Sequence, residues 1–294
     1  MRQKNHEKKI LVAGGDLRYG YTAASLADHL ETYAVGFQAA VSDQVQLVES
    51  VADKIPLCDV LVLPMPVSDD GILVNAPFSQ RNISISHLLT TLKPGALGLG
   101  GKFGKSQEIF EQSGFETMDY LVREEFSTRN AVPTAEGAIQ IMLEEMPCTI
   151  CGSQILILGF GKIGSRLAAT LHAMGAEVTV VARNVVKRAE AEMLGCRSIA
   201  FSELEHAVKD ADVICNTVPA LVLTESILEQ IRQDALILDL ASKPGGVDWD
   251  AAQTLGKRVV WALSLPGKTA PVTAGRIIAK TILHILDERG FLDV

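Results

Sequence analysis

The chain has 294 residues, 48% hydrophobic and 21% charged, with 27 Lys and Arg against 35 Asp and Glu for a formal charge of −8. At roughly 100–200 residues per domain this length predicts about two domains, each with a substantial core, and excludes a peptide hormone, a disulfide knot or one small binding module. The balance is acidic and no Lys/Arg run exceeds a pair, so nucleic acid is not an expected partner.

The polar opening, Met1 to Lys9, leads into the apolar run Ile10 to Ala13, which stops at Gly14-Gly15. That run is too short for a signal peptide, and no stretch elsewhere could span a bilayer, so a soluble cytoplasmic protein without a membrane partner is expected. Lys9 to Ala13 reads as a strand buried on both faces. Tyr21 to Leu30 follows as a helix, Thr32 to Phe37 as a second strand, and Asp59 to Leu63 as a third, closed by Pro64. A strand near Ala96 to Leu99 and a helix over Lys105 to Gln112 continue this run of parallel βαβ units. At the end of the first strand, Gly14-Gly15-Asp16-Leu17-Arg18 lacks dinucleotide spacing. Free backbone N–H groups and the Arg18 guanidinium suit a small anion there, or Asp16 is simply a helix N-cap and Arg18 a surface residue.

Pro133 is read as opening a helix over about Thr134 to Glu145, stopped by Pro147, within a connector at 131–150. Residues 1–130 then form one α/β domain, and 151–270 a second domain. The second carries strands at Gln154 to Leu158, Glu177 to Val181, Ser198 to Phe201, Val213 to Asn216, Ala235 to Leu240 and Arg258 to Trp261. After Pro271, Ile277, Ile278, Ile282, Leu283, Ile285 and Leu286 mark an amphipathic helix over 271–294 that returns to the first domain. The expected fold class is α/β, two doubly wound parallel-sheet domains.

The strongest local signal is Gly159-Phe160-Gly161-Lys162-Ile163-Gly164, a G-x-G-x-x-G that follows a buried strand and opens the helix Lys162 to Met174. Gly159 permits the turn, Gly161 lets a diphosphate approach the backbone, and Gly164 lets helix and strand pack closely. This makes the second domain a Rossmann dinucleotide-binding domain. Its second strand ends Val181-Ala182-Arg183-Asn184 without the acid that an NAD ribose would meet, and Arg183 suits a 2′-phosphate, which favours NADP over NAD. Lys187 and Arg188 could assist, or form a solvated helix face.

Three further loops follow strands at their carboxyl ends: Asn216-Thr217-Val218-Pro219, Asp239-Leu240-Ala241-Ser242-Lys243-Pro244-Gly245-Gly246 and Leu265 to Pro271. The first passes the expected nicotinamide ribose; Lys243 and Lys268 are candidates to face an anionic substrate. Cys148-x-x-Cys151 has neither a second pair nor a ligand-spaced His, and the five cysteines show no disulfide framework, so reduced thiols and no metal are expected. The six histidines do not cluster.

In motif order the chain resembles the dehydrogenases related to D-2-hydroxyacid dehydrogenases, which implies that residues 1–130 are a flavodoxin-like domain on the substrate side, ahead of the glycine-rich cofactor domain. It departs from their A-R-G-x-x-V-D at Ser242-Lys243-Pro244-Gly245-Gly246-Val247-Asp248, and has Gly267 where they carry a histidine. Together Gly14-Gly15-Asp16 with Arg18, Val132 to Gly137, Leu158 to Gly164, Asn216 to Pro219, Leu238 to Gly246 and Leu265 to Gly275 resemble the bacterial dipicolinate synthase A-subunit family. That resemblance implies a sporulation enzyme of the mother-cell cytoplasm, working with a B subunit on a cyclic dicarboxylate, dihydrodipicolinate or its hydroxylated precursor. Aromatising such a ring removes a hydride and a proton, so the site needs a nicotinamide, cations for two carboxylates and a base. On this reading Arg18 and Lys243 hold the carboxylates from opposite walls of an interdomain cleft, while Asp16, Thr134, Ser242 and Lys268 assist. Glu136 is the candidate base, unless it serves only the helix N-terminus or water takes the proton. The alternatives are a nucleotide-binding scaffold for a catalytic B subunit, and a hydroxyacid or amino-acid dehydrogenase. Homo-oligomerisation is left open.

Overall fold

The structure, a computed structural model, describes residues 5–51 and 55–292; the polar residues 1–4 read above lie outside it. The chain divides into two compact units, 1–129 with 270–294, and 130–269.

The first unit contains β1 (Asn5–Ala13), α1 (Leu17–Ala27), β2 (Leu30–Val35), β3 (Val45–Val48), β4 (Cys58–Val62), α2 (Ile85–Leu89), β5 (Leu92–Gly100), α3 (Gln107–Gln112), β6 (Glu116–Asp119) and the start of α4 (Glu124–Glu145). The second contains β7 (Gln154–Leu158), α5 (Lys162–Ala173), β8 (Glu177–Val181), α6 (Val185–Met193), β9 (Arg197–Ile199), α7 (Leu204–Ala207), β10 (Val213–Asn216), α8 (Glu225–Gln230), β11 (Leu236–Asp239), α9 (Trp249–Thr254), β12 (Arg258–Trp261) and α10 (Leu265–Thr269). The last helix, α11 (Pro271–Glu288), belongs to the first unit.

Both units are doubly wound. The sheets run β3-β2-β1-β4-β5-β6 and β12-β11-β10-β7-β8-β9, every pair parallel. From one edge each therefore reads third, second, first, fourth, fifth, sixth strand, the order that places a ligand crevice beyond the carboxyl ends of the first and fourth.

Strand alternation divides each core into two layers. Ile10 and Val12 of β1 pack with Ala23 and Leu26 of α1 and with Ile278, Ile282 and Ile285 of α11, while Leu11 and Ala13 face Ile85, Leu88 and Phe110. In the second unit Ile155 and Ile157 meet Leu167 and Leu171, and Leu156 and Leu158 meet Leu204, Val208 and Leu228. Gly275 lets α11 approach α1: a Cβ there would lie 2.4 Å from the Arg18 carbonyl oxygen.

Several boundaries differ from expectation for physical reasons. Asp16 caps α1, so that helix starts at Leu17 rather than Tyr21, and β2 shifts accordingly to Leu30–Val35. Pro133 does not open the connector helix but lies inside the 22-residue α4, whose first turn carries Glu124 and Glu125. Pro133 cannot donate to the Arg129 carbonyl, while the Thr134 hydroxyl donates to the Asn130 carbonyl at 2.7 Å. Glu136 is consequently an exposed mid-helix residue, not an N-terminal one. The loop expected at Leu265 to Pro271 is largely the short helix α10. Strand β9 ends at Ile199, before a 3-10 turn at Phe201–Glu203.

Candidate functional site

In the second unit the three glycines after β7 have three different local reasons. Gly159 has φ +94°, and its N–H donates to the Val181 carbonyl at 2.9 Å. A Cβ at Gly164 would lie 2.2 Å from the Gly159 carbonyl oxygen, so close packing of α5 on the turn requires glycine. Gly161 is different: its φ is −83°, and a Cβ there would meet nothing within 4 Å. Packing within the protein does not explain Gly161; open space in front of the helix does. Gly161 is the N-cap of α5, and no side chain caps that helix. An uncapped helix N-terminus with bare backbone before it fits the diphosphate of a dinucleotide. Lys162 and Ile163 lie in the first turn, and Phe160 is buried beneath it.

At the end of β8, Arg183 is exposed and has no ion pair among the described residues. Asn184 caps α6, its Oδ1 accepting from the Val186 N–H at 2.8 Å. Lys187 pairs with Glu190 at 2.7 Å, as on a solvated helix face.

The loops after β10 and β11 share a buried root. Asn216 and Asp239 are both fully buried. The Asn216 Nδ2 donates to Asp239 Oδ1 at 2.8 Å and to the Val218 carbonyl at 3.0 Å, and Asn216 Oδ1 accepts from the Val218 N–H at 3.0 Å. Asp239 also accepts from the N–H groups of Ala241 at 3.2 Å and Gly246 at 2.9 Å. The Asn216 amide thus shapes the loop from within, and the Thr217 hydroxyl likewise turns back, donating to the Leu158 carbonyl at 2.8 Å. Pro219 and the exposed Ser242 and Lys243 stand on the loops this root supports. Lys268 is exposed on α10. The sequence places Asp239 at the head of the loop after β11 but gives it no role, although an acid closing the otherwise apolar Leu236-Ile237-Leu238 strand is a usable signal.

In the first unit the turn after β1 repeats that of β7 with one change. Gly14 has φ +68° and donates to the Val35 carbonyl at 2.9 Å, as Gly159 does to Val181. The next N–H, from Gly15, donates to the Asn75 carbonyl at 2.7 Å. Asp16 then takes the N-cap place that Gly161 has in the second unit, with φ −84° and ψ −169° against −83° and −163°. Two of the N–H groups at this turn, those of Gly14 and Gly15, are therefore already used, and that of Arg18 donates to the protein's own Asp16 carboxylate at 3.1 Å.

Arg18, 7% exposed, donates through Nε to Asp16 Oδ1 at 2.8 Å and through Nη2 to Oδ2 at 2.7 Å. Burial opposes its charge, but the Asp16 hydrogen bond and charge outweigh it, and its pKa lies above the ordinary value. The fork uses one edge of the guanidinium; among the described residues Nη1 on the other meets only the Met65 sulfur, at 3.7 Å. Below it the Tyr19 and Tyr120 hydroxyls share a 2.6 Å hydrogen bond, both pushed up in pKa by burial. Thr134 spends its hydroxyl within α4. Among the described residues no group of three or more His, Cys, Asp or Glu could hold a metal, and no helix is long and apolar enough to cross a membrane.

Comparison with known proteins gives two family matches. Residues 9–121 match the N-terminal domain of the dipicolinate synthase A subunit, and residues 123–239 the NAD-binding domain of D-isomer specific 2-hydroxyacid dehydrogenases. The A subunit of dipicolinate synthase from Bacillus subtilis (strain 168) is 32% identical over 285 residues, 95% of this chain and 96% of that protein. The crystal structure of the A subunit of dipicolinate synthase from Bacillus halodurans superposes with a TM-score of 0.89 at 27% identity, covering 97% of this chain and 99% of that one. The crystal structure of the Bacillus subtilis A subunit gives 0.87 at 30% identity, with 97% of each covered.

Proposed function

Because the chain belongs to the family of dipicolinate synthase A subunits, we propose that it oxidises dihydrodipicolinate, or its hydroxylated precursor with loss of water, to dipicolinate, with NADP as cofactor. The observation that carries this reading is the open, uncapped helix start at Gly161 in a domain of the nicotinamide-dehydrogenase type. When bound, the nicotinamide supplies a hydride acceptor.

The chain's own residues do the rest. Backbone N–H groups at the start of α5, from Gly161 onward, would hold the diphosphate, and the exposed Arg183 would select the 2′-phosphate. The buried Asn216–Asp239 pair fixes the backbone of Thr217 to Pro219 and of Ala241, the residues that would hold the nicotinamide end of the cofactor. Lys243, with Ser242 beside it and Lys268 on α10, offers a substrate carboxylate its cation and hydrogen bond. In the first unit the Nη1 edge of the Arg18 guanidinium, whose other edge is held by Asp16, is the proposed cation for a substrate carboxylate. Aromatisation also releases a proton, which the exposed Glu136 carboxylate or water accepts. A B subunit is the proposed partner, and the cytoplasm of the mother cell in a sporulating bacterium the proposed location.

The test is an anaerobic mixture of the purified chain, freshly generated dihydrodipicolinate and NADP, with and without a B subunit. Reduced cofactor and dipicolinate appearing together support the reading. Cofactor binding without turnover by the chain alone, and turnover by B alone, would make this a scaffold subunit; turnover of simple hydroxy acids instead would make it another dehydrogenase.

A further inference from the structure

The first unit has a second concavity that the proposed reaction does not use. A cavity of about 480 Å³ opens at the carboxyl ends of β2 and β3, and Gly36, Phe37, Leu47, Glu49, Phe78 and Arg81 line it. One wall is a flap over residues 73–84. A bridge between Leu73 and Ser84 and a 2.9 Å bond from the Val74 N–H to the Ile83 carbonyl close its base. Ser79 shapes its tip: its N–H donates to the Ala76 carbonyl at 3.0 Å and its hydroxyl to the Arg81 carbonyl at 2.6 Å. Backbone hydrogen bonds and the Ser79 hydroxyl therefore build the wall that carries Phe78 and Arg81.

Carboxyl ends of strands are where open parallel sheets take ligands. A dinucleotide is excluded from this unit, because the Asp16 carboxylate fills the helix start that Gly161 leaves open in the other. The cavity lies apart from that helix start, since Asp16 is not among the residues that line it. Its lining is specific in charge: Arg81 and Glu49 both face it, yet among the described residues neither forms an ion pair with the other or with any other group. Phe37, Phe78 and Leu47 provide the apolar surface.

We propose that this cavity binds a zwitterionic amino acid with a large apolar side chain. Its carboxylate pairs with the Arg81 fork, its ammonium with Glu49, and its side chain lies against Phe37 and Phe78. A ligand with only one of the two charges leaves the other protein charge unanswered, so the zwitterion is selected over a simple acid or amine.

The test is calorimetric titration of the full chain with L-phenylalanine and L-leucine, with phenylacetate and phenethylamine as single-charge comparisons. Saturable one-to-one binding is expected for the amino acids, and at least about tenfold weaker binding for the two comparisons. Arg81→Gln should weaken L-phenylalanine and phenylacetate but not phenethylamine, and Glu49→Gln should weaken L-phenylalanine and phenethylamine but not phenylacetate. Both residues are exposed, and unchanged thermal unfolding and NADP affinity in each variant separate this outcome from any failure at the Gly161 turn. No saturable binding of either amino acid up to about 10 mM, or binding that neither variant alters, overturns the proposal.

Discussion

The side chain of Asn216 donates to that of Asp239 across 2.8 Å, and both are completely buried, one at the end of β10 and the other at the end of β11. Two loops at the carboxyl edge of the sheet thus hang from one polar pair. Gly245, at φ +86°, lets the second loop wrap the carboxylate: a Cβ there would lie 2.6 Å from Asp239 Oδ2. A buried carboxylate that satisfies three N–H donors is costly to remove, because each donor is then stranded away from water.

Asp239→Ala should therefore lower unfolding stability by about 3 kcal/mol and loosen both loops. Equilibrium urea unfolding at neutral pH measures this. A loss below about 0.5 kcal/mol would show that water replaces the carboxylate without penalty.

The glycines of the β7–α5 turn separate packing from binding. Gly161→Ala adds a methyl group to open space, so thermal stability should hold while dinucleotide affinity falls about tenfold or more. Gly164→Ala drives a Cβ into the Gly159 carbonyl and should cost about 1–3 kcal/mol of stability. If Gly161→Ala binds dinucleotide as well as the parent chain, the open space serves something else.

Much of this architecture was legible. The buried β7 strand, its glycine turn and the α5 helix announce themselves because local composition alone fixes them. β3 and β6, the outer strands, were missed: each has only four residues, and the exposed positions in Val45–Val48 and Glu116–Asp119 break the buried-strand pattern. Pro133 misled because tertiary burial of Pro133, Ala135 and Ala138 holds a helix across a residue that ordinarily starts one. The equivalence of Asp16 and Gly161 was invisible in one dimension, since it lies in backbone angles and in the shared Gly-to-strand hydrogen bond rather than in residue type.

Arg183 is the exposed cation at the end of β8, where no carboxylate competes for a ribose. Arg183→Asp should weaken NADP, improve NAD, and shift their affinity ratio by about tenfold or more. Fluorescence titration with both cofactors checks this, and an unchanged ratio would remove Arg183 from the cofactor site.

Asp59 supplies a pH signature independent of the site. Its side chain is 9% exposed and accepts from the Lys9 N–H and the Lys93 ammonium, each at 2.9 Å. Burial pushes its pKa up, but these two donors prevail and the net shift is downward. A carboxylate depressed in the folded state stabilises the fold above its unfolded value of about 3.9, and that contribution disappears as pH falls through the folded value. Asp59→Asn should therefore be less stable than the parent near pH 7, with the gap closing below about pH 4. Denaturant unfolding at several pH values measures it, and a constant gap would contradict the assignment.

The central claim, that a nicotinamide dinucleotide lies with its diphosphate on the helix start at Gly161, is tested most directly by following backbone amide resonances during an NADP titration. The largest shifts should fall on Phe160 to Gly164 and on Arg183, with Asp16 to Tyr19 unmoved. Shifts centred on the Asp16 turn, or none at Gly161 under saturating NADP, would contradict it.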